Sequence, residues 1–121
     1  MTKIIAVDFD GTLCEDRWPY IGEPNKQLIA YLRNEQRHGA KLILWTCRVG
    51  TQLNEAIDWC EEHMIWLDAV NENLPETIER FGTESRKIFA HEYIDDRALH
   101  FYNLPYQDRQ TKIVKRSVSR K

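Results

Sequence analysis

Two aspartates, one residue apart, follow the first apolar run. In "IIAVDFDGTLCED", Asp8 and Asp10 flank Phe9 and lead at once into Gly11 and Thr12. Residues two apart in extended chain share a face, so both carboxylates point to one side while Phe9 turns into the packing. Gly11 permits the tight turn off the strand. A second acidic pair, Asp95 and Asp96, closes the later stretch "KIFAHEYIDD". If the two stretches are neighbouring strands, up to four negative charges converge, and two such charges at about 4 Å repel by about 4 kcal/mol at an effective dielectric of about 20. A hard divalent cation would resolve that repulsion, and Mg²⁺ is the natural choice for carboxylate and phosphate oxygens. Lys87, at the head of the later stretch, would add positive charge.

The elements that must position these groups alternate between strand and helix. "KIIAV" and "KLILWT" are continuous apolar runs, as expected of strands covered on both faces. "PNKQLIAYLRNEQRHG" carries Leu28, Ile29 and Leu32 at helical spacing, and "TQLNEAIDWCEEH" repeats that spacing with Leu53, Ile57 and Cys60. "DAV" is a short third strand, "LPETIERFG" a short helix stopped by Gly82, and "KIFAHEYI" a fourth strand. Strands separated by helices imply a parallel sheet with right-handed crossovers, whose reactive groups lie beyond the carboxyl ends of the strands. The ends of the first, second and fourth strands deliver Asp8 and Asp10, Thr46, and Asp95 and Asp96.

The chain of 121 residues has the size of one domain, expected over 1–110 and followed by a basic, flexible tail over 111–121. A net charge of −2 gives the chain as a whole no attraction to nucleic acid or to a membrane surface. No apolar run is long enough to span a bilayer, and the first aspartate comes too early for a signal peptide, so a cytoplasmic protein is expected. Cys14, Cys47 and Cys60 are odd in number, lack metal-ligand spacing and read as reduced thiols.

"DFDGTL" at Asp8 to Leu13, Thr46 ending "LILWT", Lys87, and "IDD" at Ile94 to Asp96 resemble, in order, the four motifs of the haloacid dehalogenase-like (HAD) phosphatase superfamily. The resemblance implies a three-layer, Rossmann-like α/β fold around a central parallel sheet. It implies Asp8 as a nucleophile that forms an aspartyl-phosphate. Asp10 would be the general acid for the leaving alcohol and then the base for water. Thr46 would hydrogen-bond the phosphoryl group, and Lys87, or the adjacent Arg86, would pair with that group and with Asp8. Mg²⁺ would be held by Asp8, the backbone carbonyl of Asp10 and Asp95, with Asp96 a ligand or a supporting partner. Gly11 and Thr12 are expected substrate contacts, and Arg48 in "WTCR" either reaches a substrate phosphate or faces water.

Members of that superfamily often insert a cap domain, yet neither the eleven residues "CEDRWPYIGEP" nor the chain between Thr46 and Lys87 has room for one. The resemblance is to a capless member with an open site, and Trp18 and Tyr20 in the short flap offer rigid aromatic surface for stacking on a base or sugar ring. An open site suits a nucleic-acid end or another macromolecular phosphoester, or a phosphorylated small molecule such as a nucleotide or sugar phosphate held at the interface of a homo-oligomer. The rival reading is a non-catalytic phosphate-binding or regulatory domain, either HAD-like or of the receiver type. In a receiver the phosphorylated aspartate ends the third strand, which here ends in "VNEN".

Overall fold

The computed structural model describes residues 2–85 and 87–95, together with the backbone of 105–107 and 113–115. Strand β1 (Ile4–Val7) is buried at every position, as its unbroken apolar run requires. It lies at the centre of a four-stranded parallel sheet ordered β5 (Ala69–Val70), β4 (Lys41–Leu44), β1 and β6 (Glu92–Ile94). Three described helices connect these strands: α1 (Lys26–Arg37), α2 (Gly50–Glu62) and α3 (Pro75–Phe81). The molecule is therefore an α/β protein with a central parallel sheet. Among the described residues no helix is long and apolar enough to cross a membrane.

The twofold alternation of β1 divides the core. Ile5 and Val7, followed by Phe9, pack with Ile29 and Leu32 of α1 and Ala56 and Cys60 of α2. Ile4 and Ala6 pack on the other face with Ile43, Ala69, Leu74, Ile88 and Ala90, below the short α3. Asn25 caps α1, its side chain accepting the Leu28 N–H at 3.1 Å and donating to the Thr12 carbonyl at 3.0 Å. It thus ties the helix start to the turn after Asp10. Pro75 opens α3, and Gly82 closes it in the left-handed region at φ 77°.

Three segments differ from the sequence expectation. The flap is a β-hairpin, β2 (Cys14–Arg17) with β3 (Tyr20–Pro24), joined through a cis Trp18–Pro19 bond. The fourth strand of the central sheet is only Glu92–Ile94, because side chains upstream take the backbone groups a strand would use. Asn73 accepts the Phe89 N–H at 2.6 Å, and the Tyr93 hydroxyl accepts the Ala90 N–H at 3.1 Å. Finally, Ile113–Lys115, within the stretch expected to be a flexible tail, forms β8, paired antiparallel with β7 (Pro105–Gln107).

Candidate active site

Val7 pairs with Leu44 on one side and with Ile94 on the other, so Asp8, Trp45 and Asp95 leave the sheet at one level. The Asp8 N–H donates to the Ile94 carbonyl and the Trp45 N–H to the Val7 carbonyl, each at 2.9 Å. Neighbouring strands run about 4.8 Å apart. The chain thus sets two half-buried carboxylates, Asp8 and Asp95, on adjacent strand ends at the carboxyl edge of the sheet. Thr46 lies one residue further along β4's exit. Its N–H donates to Asn71 Oδ1 at 2.8 Å, and its hydroxyl oxygen accepts the Arg48 N–H at 3.1 Å.

The turn after β1 follows from Phe9 and Gly11. The Phe9 ring is fully buried and meets the Trp59 ring edge-on at 5.3 Å. Its carbonyl accepts the N–H groups of Thr12 and Leu13 at 3.1 and 2.9 Å. Gly11 takes φ 81°, where a side chain would be strained. This curl buries Thr12 and brings its hydroxyl to Asp8 Oδ2, to which it donates at 3.5 Å. Gly11 and Thr12 therefore shape and orient the Asp8 end of the site.

Arg48 shows neither the substrate contact nor the solvent exposure expected of it. It is 1% exposed, and all five guanidinium N–H groups have acceptors within the protein. Nε and Nη2 donate to the two Asp10 oxygens at 2.8 and 2.7 Å. Nη2 also donates to the Tyr20 carbonyl at 3.0 Å, and Nη1 to the carbonyls of Pro19 and Gln52 at 3.4 and 3.3 Å. No donor is left for a phosphate. The Asp10 carboxylate raises the Arg48 pKa above its ordinary value, so the guanidinium stays charged despite its burial. Sequence reasoning had no signal for this, since the acceptors lie at positions 10, 19, 20 and 52 and meet only in the fold.

An open cleft of about 230 Å³ adjoins this cluster, lined by Asp10, Asp16, Trp18, Cys47 and Arg48. Trp18 is half exposed and stacks on the Arg48 guanidinium, 5.1 Å from its ring centroid. Tyr20 is not beside the cleft. Its side chain is 77% exposed and lines a separate groove with Trp59 and the acidic residues Glu55, Asp58 and Glu62 of α2.

Lys87 is exposed and forms none of the described salt bridges; its ammonium lies 6.0 Å from the centroid of the Tyr93 ring. It lines a cavity of about 480 Å³ beside α3 with Asn73, Thr77, Phe89 and Tyr93, instead of pairing with Asp8. Arg86 and Asp96 lie outside the described residues. No group of three His, Cys, Asp or Glu side chains suited to a metal ion occurs among the described residues. Of the expected ligand set, Asp8 and Asp95 are the described carboxylates, Asp10 was to give its backbone carbonyl, and Asp96 lies outside the described residues.

All three cysteines are free. Burial pushes the Cys14 thiol up to about 11 and the Cys60 thiol up to about 12, whereas Cys47 is exposed at the cleft.

No protein-family model matches the chain, and no curated protein does. Its fold is similar to the solved structure of a conserved protein from Bacteroides thetaiotaomicron, with a TM-score of 0.71 and 42% sequence identity. The match covers 82% of this chain and 79% of that one.

Proposed function

The chain belongs to one family with the conserved Bacteroides thetaiotaomicron protein, and from its motifs and strand register we propose that it is a HAD-like, Mg²⁺-dependent phosphomonoester hydrolase. The observation that carries this reading is the register of β1 and β6, which puts Asp8 and Asp95 at one level on adjacent strand ends. The donor set fits the metal. Two carboxylates and the Asp10 carbonyl are hard oxygen ligands of the kind Mg²⁺ takes, with the remaining positions left for water and phosphate oxygens. Asp8, Asp95 and the Asp10 carbonyl would hold the ion, whose chemistry is to offset the charge of the transferring phosphoryl group.

In the proposed reaction Asp8 attacks phosphorus while the bond from phosphorus to the substrate's alcohol oxygen breaks. Asp10 gives that oxygen a proton, then takes one from the water that cleaves the aspartyl-phosphate. Thr12 hydrogen-bonds one Asp8 oxygen through its hydroxyl and so orients the carboxylate. Arg48 occupies one lone pair on each Asp10 oxygen, and the second lone pair on each remains able to carry the proton. Thr46 offers its hydroxyl to the phosphoryl group from the end of β4. Small phosphate esters, nucleotides, sugar phosphates and nucleic-acid ends all suit an uncapped cleft.

The test is turnover of an aryl phosphate by purified protein in Mg²⁺, with mass-spectrometric trapping of phosphate on Asp8. An enzyme releases many equivalents of product, a receiver domain incorporates at most one, and a binding protein yields none; either of the last two outcomes rejects the proposal.

A further inference from the structure

We infer that Arg48 is a positioning residue that holds Asp10 and the β2–β3 hairpin as one rigid unit, making the hairpin a fixed lip of the cleft. Its kinetic consequences rest on the phosphatase reading; its structural content does not.

The hairpin has little else to hold it. Along β2 only Cys14 is buried and the next three residues are exposed, and β3 adds only the partly buried Ile21 to the core contact. A two-stranded ribbon of that kind is marginal in water. What it does present is backbone: the Pro19 and Tyr20 carbonyls both accept from Arg48, whose remaining donors go to Asp10 and to α2. The guanidinium carbon also lies over two aromatic rings, 5.0 Å from the Phe9 centroid and 5.1 Å from that of Trp18. A guanidinium this deeply buried is tolerable only because every donor is satisfied and a carboxylate balances its charge. Arg48 therefore joins three things: the core through Phe9, the proton donor Asp10, and the lip of the cleft through residues 18–20. A leaving group bound in the cleft would meet Asp10 and Trp18 at a separation set by one side chain.

Lysine cannot reproduce this arrangement, since an ammonium lacks both the planar fork and the stacking faces. The test compares wild type with Arg48→Lys and Arg48→Met by hydrogen exchange and by steady-state kinetics. In Arg48→Lys the amides of residues 14–24 should exchange at least about tenfold faster, with those of α1 and β4 unchanged. On an alkyl phosphate kcat should fall about 100-fold, and on an aryl phosphate about tenfold, with KM for the aryl substrate nearly constant. Arg48→Met should show the same pattern more strongly, and Arg48→Lys keeps the test decisive where the methionine variant does not fold. Unchanged protection of the hairpin, exchange raised equally throughout the chain, or equal losses on both substrates would overturn the inference. A wild-type protein inactive on both substrates would overturn the phosphatase reading and the kinetic half with it, while the exchange data would still decide whether Arg48 holds the hairpin.

Discussion

At the scale of single residues, the two aspartates around Phe9 carry unequal burdens. If Asp8 is the attacking group, Asp8→Asn removes the nucleophile and should abolish turnover of both alkyl and aryl phosphates in Mg²⁺ while leaving the melting temperature close to that of wild type. Asp10→Ala leaves the buried Arg48 charge unpaired and should lower the melting temperature. In the protein that remains folded, kcat should fall about 10²- to 10⁴-fold on alkyl phosphates, the usual worth of a general acid, and markedly less on aryl phosphates, whose leaving groups need less protonation. Equal losses on the two substrate classes would contradict the role given to Asp10. The placement of Asp8, Thr46 and Asp95 was legible in the chain because each follows an apolar run, and parallel strands put their carboxyl ends together. Arg48 was not legible. Its five acceptors come from the turn after β1, the hairpin and α2, so only the folded chain reveals that its charge is spent internally. Lys87 shows the opposite failure, since proximity in sequence to Asp95 suggested the site, whereas its ammonium lies over the Tyr93 ring.

At the scale of elements, the hairpin went unread for a physical reason. Strand patterns are visible when one face is buried, and the hairpin sends only Cys14 and the partly buried Ile21 to the core, so "CEDRWPYIGEP" shows no alternation. Its one strict steric demand is Gly22, where a Cβ would lie 2.5 Å from the Glu15 carbonyl oxygen and 2.7 Å from the Glu15 Cβ. Gly22→Ala should therefore force the two strands apart and lower the melting temperature, with faster exchange confined to residues 14–24. The start of α1 supplies a second measurement. Asn25→Ala removes both the cap on Leu28 and the bond to the Thr12 carbonyl, and should cost at least about 1 kcal/mol, a drop of roughly 4 °C in melting temperature. Because Thr12 also holds Asp8, the same variant should reduce kcat more than an α1 surface change of equal stability cost.

At the scale of the whole molecule, the sheet is covered unequally. The face toward α1 and α2 holds Phe9, Leu32 and Cys60 with no exposure, whereas the face toward the short α3 leaves Phe81 and Phe89 substantially open. The deep side has a cost at high pH. The folded protein keeps the Cys60 thiol neutral up to about 12, while the unfolded chain ionises it near the ordinary thiol value. Cys60 thus contributes nothing pH-dependent below about pH 8.5, and above it stability falls by about 1.4 kcal/mol per pH unit until the folded thiol itself titrates. The difference in unfolding free energy between wild type and Cys60→Ala, followed from pH 8 to 10.5, should show that slope. The three thiols are, moreover, unlike in their accessibility: two are sealed under helices, and Cys47 stands at the rim of the cleft beside Asp10 and Trp18. That asymmetry makes Cys47 a built-in reporter of occupancy. A maleimide should modify the native protein once, at Cys47, and any phosphate ester seated in the cleft should slow that modification in proportion to its own saturation curve.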